Sequence, residues 1–435
     1  MGEEKVLVIT YYWPPSGGAG VQRSLKFVKY LLDNKYLPIV LTVNPEKASY
    51  PVRDVSLLSE IPKEVKIIAT DSFEPLNILS SFIGKKNVPY GGFANSKKEK
   101  FHQKTLRWIR GNFFIPDARV GWVKHAVKAA GKIIREEKIN CILVSSPPHS
   151  SQLIGLSLKK EFPQLRWVAD MRDPWTDIYY YKDLLHAAPA AKKDAAFEKQ
   201  VLEAADAILV VSETIKTAFV HKSVFVLPEK IHVIPNGYDE KDFAGEVETQ
   251  KDKFIITYVG TMADSYRPEI FFYVLKRIVS EHPECKVLFR FVGNVPSSVK
   301  KMTADLGLEN YCEWNGHVTH EEAVMFMRKS NALLLIIPDA EGAEGILTGK
   351  LFEYLGAKRL ILGLGPVQGD AAKIINDCRA GEMFHREEEE RLYSTLIDVL
   401  KKWKQGESYF ESNDNIKEYR RSELTKEVAN ILRAS

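Results

Sequence analysis

Cysteine is scarce in this sequence, and it never occurs in a paired motif. The 435 residues include four cysteines, Cys141, Cys285, Cys312 and Cys378, without CxxC spacing. Cys141 and Cys285 adjoin apolar runs, where buried reduced thiols are the ordinary expectation. We therefore assign no redox or metal-binding role to these residues.

Long apolar segments and a targeting leader are also missing. The strongest apolar runs, such as residues 332–337, are too short to span a bilayer. The first residues, MGEEKVLVIT, enter a short apolar strand without a basic leader or a cleavage site. A cytoplasmic location is the resulting expectation.

Excess charge of one sign is lacking too, because the formal net charge is only +4. This value is too small to indicate a nucleic-acid partner. A hydrophobic content of 45% and a charged content of 27% are those of a folded globular protein. The length exceeds what one hydrophobic core usually serves, so we expect two domains.

Apolar runs and helical patterns alternate along the chain, which predicts parallel sheets covered on both faces. In the first half the predicted strands are residues 5–10, 39–43, 141–145, 167–170 and 207–211. HVIPNGYD at 232–239 reads as a last strand that leaves through a turn. After a polar stretch, the alternation restarts with predicted strands at 254–259, 287–292, 331–337 and 360–363.

This pattern predicts two doubly wound α/β domains that face a cleft. The predicted domains are 1–240, with a basic aromatic insertion at about 71–115, and 241–412. Residues 413–435 should form a helix that packs back on the first domain. Parallel sheets of this kind bind ligands at the carboxyl ends of their strands.

A glycine-rich loop, PPSGGAG, connects the first strand to the first helix. Gly17 and Gly18 allow backbone amides to approach a ligand, and a helix N-terminus attracts a phosphate or a sugar. The pattern is neither a Walker loop nor the dinucleotide fingerprint. The alternative is a tight turn without a ligand.

Four segments in order carry a family resemblance: WPPSGGAGVQRSLKFVKYL, DMRDPW, IPNGYD and TGKLFEYLGAKR. Together they resemble the bacterial retaining glycosyltransferases of the GT-B fold, a group 1 type that builds surface glycans. The resemblance implies a nucleotide diphosphate sugar as donor, bound mainly by the second domain. It also implies that no cofactor and no metal ion is required.

TGKLFEYLG is the predicted donor site. Thr348, Gly349 and Lys350 stand at the start of a predicted helix, where a hydroxyl, free amides and an ammonium suit a diphosphate. Glu353 resembles the glutamate of the family that holds the ribose hydroxyls. The alternative is a helix cap with a surface Lys–Glu pair.

The sequence departs from the family pattern at two places in this site. Gly345 occupies the position of the family's first glutamate, so Glu344 or Glu341 would have to substitute for it. Thr261 follows Gly260 where many relatives have arginine. We therefore assign neutralisation of the diphosphate to Arg267 and Lys350.

The loop NGHVTHEEA resembles the one that cradles the base in this family, and Val318 is its predicted donor contact. Thr319 is alternatively the N-cap of the following helix. Nothing in this loop distinguishes uracil from guanine or thymine.

Two loops of the first domain supply the predicted catalytic wall. His149 follows a strand in SSPPHSS, and DMRDPW contains Arg172 and Asp173. We predict that these three residues are catalytic and that Asp170 and Trp175 bind the acceptor. The alternative for DMRDPW is an internal Asp–Arg pair that braces a turn. A DxxD spacing does not by itself specify a metal ion.

A basic and aromatic segment covers roughly residues 82–114. Between positions 85 and 110 it has eight cations and one acidic residue, Glu99. Such a segment suits the surface of an anionic membrane. We therefore expect a glycan or polyprenyl-linked acceptor, reached at the inner face of the plasma membrane. The alternative is a solvated loop whose aromatic side chains pack on the first domain.

Two other functions share this architecture. One is a nucleotide-sugar 2-epimerase, although no motif for elimination is visible in the sequence. The other is a scaffold that has kept the fold and lost catalysis. The segment TGKLFEYLG favours a transferase over both.

Overall fold

A computed structural model describes residues 4–74 and 101–434. The chain divides into two compact units, which we call unit 1 and unit 2. Unit 1 comprises Met1–Pro235 and Arg421–Ser435, and unit 2 comprises Asn236–Arg420. Of the predicted basic insertion, residues 75–100 lie outside the described residues.

Unit 1 is a parallel α/β sheet. Its strands are β1 (Glu4–Thr10), β2 (Tyr36–Val43), β3 (Lys66–Thr70), β4 (Cys141–Ser146), β5 (Arg166–Met171), β6 (Ala207–Val210) and β7 (Ile231–Val233). Its helices are α1 (Ala19–Asp33), α2 (Phe101–Phe113), α3 (Val123–Glu137), α4 (Ser150–Glu161), α5 (Ala188–Ala204) and α6 (Glu213–Val220). The strand order is β3-β2-β1-β4-β5-β6-β7, and every pairing is parallel.

Both faces of this sheet are covered. Leu7 and Ile9 of β1 enter one hydrophobic core, whereas Val6 and Val8 enter another. Successive side chains of a strand point to opposite faces, so a strand buried on both sides must be apolar throughout. This is the physical reason why KVLVIT predicts a central strand.

The last helix, α13 (Arg421–Arg433), belongs to unit 1. Leu424 and Val428 share a core with Leu25 of α1. The Arg166 guanidinium donates to the Ile431 carbonyl through Nε at 3.1 Å and Nη2 at 2.9 Å. The predicted return of a C-terminal helix to the first domain is thereby confirmed.

Unit 2 has a second parallel sheet. Its strands are β8 (Phe254–Val259), β9 (Val287–Val292), β10 (Cys312–Trp314), β11 (Ala332–Ile336), β12 (Leu360–Leu364) and β13 (Gly381–Phe384). Its helices are α7 (Glu269–Glu281), α8 (Ser297–Asp305), α9 (His320–Lys329), α10 (Gly349–Ala357), α11 (Asp370–Asp377) and α12 (Glu389–Gln405). The strand order is β10-β9-β8-β11-β12-β13.

The predicted fold class, two doubly wound parallel-sheet domains, is confirmed. The central strands lie where the apolar runs predicted them, since β8 and β11 are buried at every residue. Sequence analysis missed the edge strands β3 and β13, and it gave β10 no bounds. These strands are short or partly exposed, so they lack a continuous apolar run. Within the described residues, none of the helices is long and apolar enough to cross a membrane.

Candidate functional site

The N-terminus of α10 carries the unit 2 site. Thr348 is the residue before the helix, and its side chain makes no capping hydrogen bond. Thr348 Oγ1 is buried without a hydrogen-bond partner in the described part of the chain. A Cβ built on Gly349 would meet no atom within 4 Å. A hydroxyl and unpaired amides therefore stand beside open space, where a helix favours an anion.

Lys350 is fixed in the first turn of α10. Its Nζ donates to the Tyr258 hydroxyl at 2.6 Å and to the Thr261 carbonyl at 3.3 Å. The same atom lies 4.4 Å from the centroid of the Tyr258 ring. Burial lowers the pKa of Lys350 to about 8, with Glu353 acting in the opposite direction. An ammonium held in this way is positioned to neutralise a phosphate.

Gly260 makes room for this lysine. Its φ is 108°, and a Cβ there would stand 2.5 Å from Lys350 Cε. A side chain at this position would be strained and would displace the ammonium. Gly260 and Thr261 come from one segment of the sequence and Lys350 from another, and the structure brings them together.

Arg267 lies in the same unit and is held by a carboxylate. Its Nη1 is 2.7 Å from Asp339 Oδ2, in a pair that is largely exposed. Sequence analysis missed Arg386, which donates through Nη2 to the Ile337 carbonyl at 2.5 Å and the Tyr266 carbonyl at 3.3 Å. Burial lowers the pKa of Arg386, and the nearby Arg267 adds to this effect. No motif flags Arg386, because it follows an edge strand.

The remaining predicted donor residues differ in how far they are exposed to solvent. Glu344 is exposed on a single helical turn, Ala343–Gly345, and Glu353 is half-buried on α10. Val318 packs against the core of unit 2. Thr319 caps α9 in a capping box, accepting from Glu322 N at 3.2 Å. The structural interpretation of Thr319 as an N-cap is therefore confirmed.

In unit 1, Asp170 is an internal brace. Its carboxylate is fully buried and accepts from Arg23 Nε at 3.0 and 3.2 Å. The Arg23 Nη2 atom is 2.9 Å away, and Ser145 Oγ donates at 2.8 Å. The predicted contact of Asp170 with an acceptor is not what the structure shows, since these partners occupy the carboxylate. The alternative of an internal Asp–Arg pair describes it better, with Arg23 as the partner in place of Arg172.

Arg172 and the glycine-rich loop are neighbours. Arg172 is 9% exposed and donates through Nε to the Ser146 carbonyl at 3.1 Å. Its Nη2 lies 3.8 Å from a Cβ built on Gly20. Gly17 N donates to the Val52 carbonyl at 2.9 Å, and Gly18 precedes α1. A guanidinium therefore lies close to the first turn of α1.

His149 and Trp175 form a stacked pair. Their ring centroids are 4.8 Å apart with an interplanar angle of 13°. Burial lowers the pKa of His149, and the nearby Asp173 opposes this shift. A lowered pKa leaves the imidazole neutral at pH 7, so it can accept a proton. Trp175 is itself 2% exposed, and its Nε1 donates to Asp194 Oδ1 at 2.9 Å.

These two rings line a cavity of about 310 Å³ within unit 1. Its walls are mainly aromatic and cationic, and they include Tyr12, Arg110, Arg119, Tyr180 and His186. Asp173 is half-buried and acts on His149 and Arg172 through its charge. Of the predicted catalytic and acceptor residues, the structure thus places His149 and Trp175 in the cavity wall.

Sequence analysis missed most of this wall. Arg110 counted only as one cation of the basic segment, and Arg119 was not considered. Asp194 is 1% exposed and accepts from Trp175 and from the Tyr181 hydroxyl at 2.9 Å. Burial raises the pKa of Asp194 to about 6. One signal was available in the sequence: Asp194 and Glu198 are acidic residues four positions apart, and both lie on the buried face of α5.

A metal site would need several close ligands. Among residues 4–74 and 101–434, no group of three His, Cys, Asp or Glu side chains is arranged to hold a metal ion. The absence of a metal requirement stays a prediction.

The sequence and the fold of this chain were compared with those of known proteins. Residues 91–242 match the family described as Glycosyltransferase Family 4. A glycosyltransferase from Rickettsia africae is similar over 100% of both chains, with 14% identity and a TM-score of 0.61. Anabaena HepE, solved in complex with UDP-glucose, is similar over 98% of this chain and 95% of its own. Its identity is 12% and its TM-score is 0.54.

The fold is not confined to transferases. A Listeria monocytogenes protein assigned as a UDP-N-acetylglucosamine 2-epimerase is similar over 98% of this chain and 95% of its own. Its identity is 12% and its TM-score is 0.52. Comparison with curated protein sequences gives no significant match.

The two parallel-sheet units give the chain the fold of the GT-B glycosyltransferases to which it is similar. More narrowly, it carries a glycosyltransferase family 4 domain, which lies in unit 1 and extends a few residues beyond it.

Proposed function

We propose that this enzyme moves a sugar from a nucleoside diphosphate sugar to a glycan or lipid-linked acceptor, with retention and without a metal ion. Unit 2 binds the donor and the cavity of unit 1 binds the acceptor. The observation that carries the proposal is the N-terminus of α10. There Lys350, Gly349 and the unpaired Thr348 hydroxyl stand together.

The chemistry at α10 suits a diphosphate leaving group. Negative charge grows on the β-phosphate as the glycosidic bond breaks, and preorganised donors stabilise that charge best. Lys350 supplies an ammonium and the helix supplies its dipole and free amides. Arg267 and Arg386 are further cations of unit 2 available for this purpose. These groups offset the charge that a metal ion neutralises in other transferases.

On the acceptor side, His149 and Asp173 orient the attacking hydroxyl. To account for retention, we propose that the departing phosphate accepts the proton of that hydroxyl on the same face of the sugar. The neutral imidazole of His149 can hold the hydroxyl by accepting a hydrogen bond. Arg172, close to the first turn of α1, stabilises developing negative charge.

The first experiment identifies the donor. A thermal-shift panel with UDP, GDP and dTDP, followed by their sugars in the presence of EDTA, should give one stabilising nucleotide. A ligand at tenfold its dissociation constant adds about 1.4 kcal/mol of stability. Incubation with the donor alone should then release the sugar slowly by hydrolysis. An isomerised nucleotide sugar would instead indicate an epimerase, and no turnover would indicate a scaffold.

The second experiment tests α10. Lys350→Gln should weaken donor binding by about 10- to 100-fold, the range expected for the loss of one charged hydrogen bond. Lys373→Gln is the matched control, because Lys373 is an exposed lysine on α11 of the same unit. Equal donor affinities in the two variants would contradict the assignment.

We also propose that the enzyme works at the inner face of the plasma membrane in the synthesis of surface polysaccharide. Two exposed aromatic side chains on α2, Trp108 and Phe113, support this idea, with 45% and 70% of their surface accessible. The neighbouring Lys104 is exposed as well. Flotation with liposomes that contain anionic lipid should recover the protein at low salt. A double variant, Trp108→Ser with Phe113→Ser, should float less, and unchanged flotation would contradict the role of α2.

A further inference from the structure

Residues that line the cavity of unit 1 have buried polar atoms without a hydrogen-bond partner in the described chain. Arg119 is 8% exposed, and its Nη2 donates to the Ser49 carbonyl at 3.1 Å. Its Nε is buried and finds no hydrogen-bond partner in the described chain, and the same is true of Nδ1 in His149 and His186. Buried polar atoms are nearly always paired in folded proteins. Three unpaired atoms around one cavity therefore indicate a polar ligand.

The carboxylates of the same cavity are already engaged. Asp117 Oδ2 accepts from Ser150 N at 2.8 Å, and its Oδ1 accepts from Ser150 Oγ and Arg119 N at 2.8 Å. Asp194 accepts from Trp175 and Tyr181. The acidic oxygens thus bind protein donors, whereas a guanidinium Nε remains for the ligand. A guanidinium can only donate, so its partner must be an acceptor.

Two arginines, Arg110 and Arg119, line this cavity. Burial lowers the pKa of Arg110, and the positive charge of Arg119 lowers it further. Arg110 stands in the last turn of α2, and this helix is held firmly. A Cβ on Gly111 would come within 2.1 Å of the Leu184 carbonyl, and Asn112 donates to the Leu185 carbonyl at 3.0 Å. Arg110 and Arg119 therefore give this part of the wall a positive charge, which suits an anionic ligand.

The rest of the wall suits a sugar ring. Tyr12, Tyr179 and Tyr180 line the cavity with the stacked pair of His149 and Trp175. The volume of about 310 Å³ is at the small end of the range of about 300–1,000 Å³ for ligand pockets. Such a space accommodates one hexose with one anionic group. Arginine binds phosphate by paired, charge-assisted hydrogen bonds.

We propose that this cavity is the acceptor site and that the acceptor is a phosphorylated sugar, whose phosphoryl group binds Arg110 and Arg119. The inference rests on the proposed function and narrows its acceptor class. Two sources share this chemistry: a soluble hexose phosphate, and a sugar linked to a polyprenyl chain through phosphate.

Binding can be measured separately from transfer. In titration calorimetry, saturating UDP, or whichever nucleoside diphosphate the thermal-shift panel selects, blocks the phosphate site of unit 2. The probes are then glucose, glucose 1-phosphate, glucose 6-phosphate and farnesyl phosphate. We expect saturable binding of at least one phosphate-bearing probe and none of glucose. A hexose phosphate that binds best indicates a soluble acceptor, and farnesyl phosphate that binds best indicates a lipid-linked one.

Variants then assign the anion site. Arg110→Gln should weaken binding of the phosphate probe by tenfold or more, and Arg110→Lys should restore most of it. Lys104→Gln is the matched control, because it removes the same charge from an exposed position of α2. Failure of every phosphate probe to bind, or equal affinities in Arg110→Gln and Lys104→Gln, would overturn the inference. If the inference about the acceptor fails in this way, the donor assignment is tested separately. It stands if Lys350→Gln loses nucleotide binding while Arg110→Gln and Lys104→Gln keep it.

Discussion

The candidate site of unit 1 is formed by side chains, whereas that of unit 2 is formed mainly by backbone groups. In unit 1 the cavity is built from side chains, with stacked rings and buried arginines from several elements. In unit 2 the site is built mainly from backbone, with glycines, a free helix N-terminus and a single lysine. In the proposed function, backbone groups can hold the diphosphate, because every nucleoside diphosphate sugar carries it. An acceptor differs from enzyme to enzyme and requires particular side chains.

The largest expected effect concerns the internal brace of unit 1. Asp170→Ala should lower the free energy of unfolding by about 3–5 kcal/mol, because it leaves the buried Arg23 guanidinium without a counter-charge. Denaturant unfolding would measure the loss. Asp173→Ala, at a half-buried position of the same loop, is the control and should change stability little. A stable Asp170→Ala protein that has lost only acceptor binding would restore the sequence-based role of Asp170.

A smaller loss of stability is expected for Asp194→Ala, and this variant also tests whether the sites of the two units act independently. Asp194→Ala leaves Trp175 Nε1 and the Tyr181 hydroxyl without their acceptor, which should cost about 1–3 kcal/mol of stability. It should also loosen the stack of Trp175 on His149 and weaken binding of the phosphate probe. Nucleotide affinity, measured by calorimetry in the same sample, should not change. A parallel loss of nucleotide affinity would mean that the two sites are not independent.

The pH dependence of donor binding should come from unit 2. Lys350 has a pKa of about 8 in the protein, and a diphosphate favours its charged form. The lysine is mostly protonated at pH 7 and mostly neutral at pH 9. Affinity for the nucleotide sugar should therefore fall about tenfold between these values. Lys350→Arg should flatten this profile, because arginine stays charged. An equally steep profile in Lys350→Arg would assign the titration to another group.

The smallest expected effect concerns the loop NGHVTHEEA, which we predict contacts the nucleotide base. Thr319→Ala removes the side-chain half of a capping box and should cost about 1 kcal/mol of stability. Because the proposed contact of this loop with the base is through backbone, nucleotide affinity should change less than twofold. Thermal unfolding and calorimetry measure the two quantities. A large loss of affinity at unchanged stability would give the Thr319 hydroxyl a direct role.

The proposed donor helix, α10, was accessible to sequence analysis because its candidate residues are close together in the sequence. Thr348, Gly349, Lys350 and Glu353 lie within six positions, and helix geometry alone brings them to one end. The partner of Asp170 was not accessible in the same way. Arg23 is 147 positions away, and only the packing of α1 against the sheet brings the two together. The nearer Arg172 was the natural guess, and it donates to a backbone carbonyl instead.

By itself, the sequence determined the two parallel sheets and the position of α10, the proposed donor helix. A strand buried on both faces must be continuously apolar, so KVLVIT and FIITYV could form little else. Tertiary structure alone decided the cavity of unit 1, the proposed acceptor site. Its walls come from Tyr12, from Arg110 and Arg119, from His149, and from residues 175–194. No periodicity links such distant positions, because what brings them together is the burial of aromatic surface and of hydrogen-bonded polar groups around one space.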